Sequence, residues 1–199
     1  MDSALRARAA ANQSSPDAEK ARLAEMLGGK KLAPNVTVEK VYAAIAKARE
    51  ESATYYPNDP LPWPVWTDQV KTEAAYFDYG DGTETVFMNP SLLTNSTVMQ
   101  IAAVFVHEGG HDIRNDKGDS NKEKECAADH FAINIGYDEP LASQLKKYLA
   151  NAPADYKPYL QNRVNALTNP VYRDNYDDEL TFSPTCIPDL KNKDGKGKG

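Results

Sequence analysis

Cysteine is scarce in this chain, with Cys126 and Cys186 the two residues of that type among 199. A pair can be one disulfide, two buried thiols or a thiol beside a metal, so cysteine usage does not fix the compartment. Long apolar runs are missing as well. The longest, Ile101 to Val106, falls far short of the roughly 20 residues a helix needs to cross a bilayer, which excludes a helical membrane span. Met1 to Ser15 carries Arg6 and Arg8 but no apolar stretch of about seven residues, so no classical secretory signal is read there. The chain is expected to be soluble, and either cytoplasmic or exported by another route. Positive charge is the third shortage: 23 Lys and Arg stand against 29 Asp and Glu, for a net charge of -6. Nucleic-acid affinity rests on clustered Lys and Arg, so a nucleic-acid partner is not expected.

What is present is ordinary globular composition, 41% hydrophobic and 26% charged, enough for one domain of moderate size. Hydrophobic residues concentrate between Val38 and Leu167, and both ends read as polar arms.

Ser15-Pro16-Asp17 followed by Ala18 to Leu27 and Gly28-Gly29 carries a helix start and a glycine stop. From Thr37 to Ser52, the residues Val38, Val41, Tyr42, Ile45 and Ala48 recur at helical spacing. Tyr55 to Trp66 holds four prolines and two tryptophans, a composition for a packed irregular connection. Thr72 to Tyr79 and Thr83 to Met88 flank Gly80-Asp81-Gly82, which predicts a β-hairpin. Ser96 to Ile113 has little polar face and predicts a buried central helix. A polar loop, Asn115 to Asp119, leads to Ser120-x-x-Glu123, a capping box opening a helix that runs to Ile135. Two more helices are expected, Glu139 to Leu149 and Ala154 to Leu167.

The central helix contains His107-Glu108-Gly109-Gly110-His111. Histidines four apart share one helix face and can share one ion. A hydrolytic zinc site takes three protein ligands and keeps a fourth position for water or substrate. Glu125 is the best third ligand, because His111 near the end of one helix and Glu125 near the start of the next come level when the helices pack antiparallel. Asp129, four residues on, is placed to accept the spare N–H of a metal-bound histidine. Glu108 is then the general base: it takes a proton from metal-activated water and returns it to the leaving amine. One zinc ion per chain and a peptide or protein substrate follow.

These residues resemble the zincin metallopeptidases, in particular the glutamate-zincin branch that includes thermolysin-like enzymes, through His107, Glu108, His111, Glu125 and Asp129. The resemblance covers roughly Tyr76 to Gly136, and the short interval from His111 to Glu125 points to a compact minimal member. It implies an edge strand that aligns the substrate backbone, a role expected of Thr83 to Met88. Oxyanion stabilisation would fall to Tyr148, Tyr156, Tyr159 or Arg163.

The expected fold is α+β: a small antiparallel hairpin or sheet on the central zinc helix, with a helical N-terminal region and a helical C-terminal lobe. Residues 1–53 read as the helical N-terminal region, 54–170 as the zincin-like domain and 171–199 as an extended or flexible tail. Competing readings are a zinc-binding interaction or scaffold protein without turnover, and a peptidase-type toxin or effector. Cys126 is expected to be structural or disulfide-bonded to Cys186 rather than a ligand, although Cys186 in its extended segment could instead block the open metal position. His130 points away from the proposed ligands and reads as a surface or core residue.

Overall fold

The computed structural model describes residues 3–12, 15–113 and 121–169. The expected loop Asn115 to Asp119, the Glu123 side chain, Cys186 and the tail from 171 lie outside the described residues. The fold is α+β. The helices are α1 (Ser3–Asn12), α2 (Asp17–Leu27), α3 (Val38–Tyr55), α4 (Leu92–Asn95), α5 (Val98–Ile113), α6 (Asn121–Asn134), α7 (Asp138–Asn151) and α8 (Lys157–Thr168). The strands are β1 (Val65–Trp66), β2 (Ala74–Asp78) and β3 (Glu84–Met88).

Helix α5 is the hub, touching α3, α4, α6, α7, β2 and β3. Its start is set by a reciprocal cap: the Gln100 N–H donates to Thr97 Oγ1 and the Thr97 N–H donates to Gln100 Oε1 at 2.9 Å. Ile101 to Val106 are all buried, which is why so little of this helix is polar. Helix α3 starts at Thr37, whose side chain accepts from the Lys40 N–H. It buries Val41, Tyr42, Ile45 and Ala48 in the same core as α5.

The hairpin β2–β3 forms as expected, with Tyr76 opposite Val86. Its turn needs positive φ at Gly80 (74°) and Gly82 (81°), conformations that cost glycine nothing. Strand β1 is a departure from the expected antiparallel sheet: Val65–Trp66 pairs parallel with β3, giving the mixed order β1-β3-β2. Alternation divides the sheet faces. Ala74, Tyr76, Val86 and Met88 face the core over α5, and Phe77, Phe87 and Val65 face the other way.

The N-terminal end is likewise not a free arm. Leu5 and Ala9 of α1 are buried against Val65 and Phe87. Arg8 donates to both Glu19 carboxylate oxygens and to the Trp66 carbonyl at 2.7 Å, joining α1, α2 and β1. Among the described residues no helix is long and apolar enough to cross a membrane.

Candidate metal centre

Helices α5 and α6 run antiparallel, since His107 lies beside Asp129 and His111 beside Glu125. Gly110 permits their close approach: a Cβ there would lie 3.0 Å from Ala128 Cα and 3.0 Å from Phe131 Cβ. This glycine therefore serves the helix-to-helix contact. A Cβ on Gly109 would meet the end of the Leu61 side chain instead.

That approach brings His107, His111 and Glu125 together, with one ligand atom of each within 4.8 Å of the others. His107 Nε2 is 3.3 Å from Glu125 Oε2, and His111 Nε2 is 3.6 Å from Glu125 Oε1. Ligands about 2.1 Å from a tetrahedral zinc stand roughly 3.4 Å apart, so this donor set fits the ion in both chemistry and spacing. Asp129 Oδ1 lies 3.0 Å from His107 Nδ1. The N–H direction there is not ideal, yet at this distance Asp129 acts on the imidazole through both hydrogen bonding and charge.

Arg163 of α8 ties the two acids together. Its Nε and Nη2 each donate to an Asp129 oxygen at 2.7 Å, and its Nη1 donates to Glu125 Oε2 at 2.6 Å. The sequence offered Arg163 as an oxyanion donor, but it is 4% exposed and three of its nitrogens hold carboxylates. Burial alone would lower the His107 pKa, but the hydrogen bonds and charges of Asp129 and Glu125 outweigh it and push it up to about 10 in the metal-free protein. Burial would raise the Glu125 carboxyl, and His107 followed by Arg163 and His111 hold it well below the usual carboxylate range. Asp129 is lowered against its own burial by Arg163 and His107.

These groups line a cleft of about 1180 Å³ between β2, α5, α7 and α8. Glu108 sits in it and accepts the Tyr76 N–H at 3.0 Å. This corrects the expected edge strand: β3 is the middle strand, and β2 is the edge strand that lines the cleft. Glu73 and Tyr79 pair with Asn89 and Thr83 across the hairpin, so the N–H and C=O groups of Ala74, Tyr76 and Asp78 point away from β3. Tyr148, Tyr156 and Tyr159 also line the cleft. The Tyr148 hydroxyl donates to Glu73, a partner the sequence did not suggest. Burial and then Glu73 push the Tyr148 phenol above its ordinary range.

Cys126 is disulfide-bonded and packs with Tyr159, which removes it as a metal ligand. His130 is a core residue, 2% exposed.

Comparison of the chain with protein-family models, curated proteins and solved structures returned no match. The functional reading therefore rests on these side chains.

Proposed function

We propose that this protein is a zinc-dependent metallopeptidase, with His107, His111 and Glu125 as metal ligands and Glu108 as general base. The observation that carries the reading is the convergence of the three ligand atoms within 4.8 Å in a cleft that also holds Glu108. A zinc ion held there supplies Lewis acidity towards water and towards a substrate carbonyl. Glu108 takes a proton from the attacking water and passes it to the leaving amine. The Tyr76 N–H fixes one of its carboxylate oxygens, which holds the base on the cleft side of α5. The Tyr76 N–H is taken by Glu108 and the Ala74 carbonyl by the Thr72 hydroxyl, so an extended peptide pairs with the remaining outward-facing backbone groups of this sheet edge. Arg163 anchors Glu125 and Asp129, and Asp129 in turn orients His107.

Glu108→Gln keeps the shape of the side chain and removes its basicity. The zinc-loaded variant is expected to bind an unstructured protein such as reduced, alkylated casein and to lose cleavage by at least about 100-fold, the low end of a general base's contribution. Equal cleavage by wild type and variant would remove Glu108 from the mechanism. Zinc binding with no cleavage by either protein would favour a scaffold.

A further inference from the structure

One carboxylate in the cleft has no part in the proposed metal chemistry. Glu73 precedes β2 and lines the cleft. Its Oε2 accepts from Tyr148 Oη and from Gln144 Nε2, the latter at 2.7 Å. Both partners come from α7, so the carboxylate is braced between sheet edge and helix. No hydrogen bond or ion pair engages Oε1 among the described residues. Lys147, whose ammonium feels the Glu73 charge, makes its hydrogen bonds elsewhere. The Lys147 ammonium donates to the Asn95 carbonyl at 2.7 Å and to Gln100 Oε1 at 2.9 Å.

A fixed, half-buried carboxylate with one oxygen open to a substrate cleft selects positive charge. We infer that Glu73 is a specificity-determining residue that binds a cationic ammonium or guanidinium group of the peptide; this rests on the peptidase reading above. Glu73 lies three residues before Tyr76, the strand position that holds Glu108. At about 3.3 Å per residue the two are roughly 10 Å apart along the edge. The cation therefore belongs to a residue next to the scissile bond or two to three positions from it. It is either a Lys or Arg side chain or the free α-amine of a short N-terminal segment. Gln144 Nε2 and Tyr148 Oη occupy Oε2, so the incoming group meets Oε1 with its donors, and a neutral side chain would leave that charge unpaired in the cleft.

The test uses zinc-loaded Glu108→Gln protein, so that binding is read without turnover, and four fluorescent peptides of one parent sequence. These carry Lys or norleucine near the centre, each with a free or an acetylated N-terminus. Anisotropy titration is expected to give about tenfold tighter binding for the peptides with the preferred cation, from the side-chain or the N-terminal arm. Adding Glu73→Gln, which keeps an acceptor for Tyr148 but removes the charge, is expected to reduce that ratio to below about twofold. Adding Tyr148→Phe instead keeps the charge and is expected to keep the ratio, and thermal melts of both variants check folding. Equal binding of all four peptides, an undiminished ratio in Glu73→Gln, or no binding of any peptide overturns the assignment. A Glu73-dependent ratio with no cleavage by the parent enzyme would sustain the binding role and overturn the peptidase reading alone.

Discussion

Gly110→Ala tests how closely the metal ligands depend on helix packing. The added Cβ would lie 3.0 Å from Ala128 Cα, 3.0 Å from Phe131 Cβ and 3.1 Å from the Ala128 carbonyl oxygen, whereas ordinary contact begins at 3.4 Å. All three atoms belong to α6, and two are backbone, so the helix itself must retreat by a few tenths of an ångström. Removing a glycine from a helix interior favours alanine by about 1 kcal/mol, while overpacking of this kind costs about 1–3 kcal/mol. The net expectation is a loss of about 1 kcal/mol, or a fall of roughly 3 °C in Tm for a chain of this size. The effect on the site is larger in proportion. Glu125 and Asp129 ride on α6, and metal–ligand distances tolerate only about 0.2 Å, so zinc affinity should drop on the order of tenfold. Gly109→Ala is the control: its Cβ would meet Leu61 Cδ2 at 2.2 Å, the movable end of a side chain, and zinc affinity should stay within about twofold. Urea melts and zinc competition against a chelating dye read both quantities. A Gly110→Ala protein with wild-type zinc affinity, or a Gly109→Ala protein equally impaired, would refute the packing argument.

Arg163→Met leaves two acids close together without their shared cation and should destabilise the metal-free protein by about 3–5 kcal/mol; a urea midpoint within error of wild type would contradict this. Metal-free stability should also fall as pH rises. The folded His107 pKa is raised from 6.5 to about 10, so its contribution is complete below pH 6.5 and is lost progressively towards pH 10. The depressed Glu125 and Asp129 carboxyls contribute stability above their ordinary values of 4.5 and 3.8, which acidification removes. Urea midpoints from pH 6 to 10 that stay level or climb would contradict the His107 part. Zinc replaces the His107 proton, so uptake at pH 7 should release protons, read as a binding heat that changes with the ionisation enthalpy of the buffer.

The elements around the candidate site were legible where local patterns agree with tertiary packing. The apolar run before His107 marked a buried helix, and Gly80-Asp81-Gly82 marked the hairpin, because both signals lie within a few neighbouring residues. Strand β1 was hidden, since two residues among prolines carry no periodicity and the partner strand lies about twenty positions later. Helix α1 was hidden for a similar reason. Leu5 is its one apolar side chain larger than alanine, and it is held by Arg8 reaching Glu19 and Trp66, a long-range contact. Naming β3 as the edge failed because sheet order depends on β1. The clamp from Arg163 needed α8 packed beside α6, and Glu73 gained meaning only when α7 closed over the strand edge.

The central claim is that His107, His111 and Glu125 hold one metal ion together. Zinc content per folded chain, measured by elemental mass spectrometry on wild type, His107→Ala and Glu125→Ala after equilibration with limiting zinc, tests it most directly. The account predicts about one equivalent in wild type and well under half in each variant. Full zinc content in both variants, or none in the folded wild type, would contradict it.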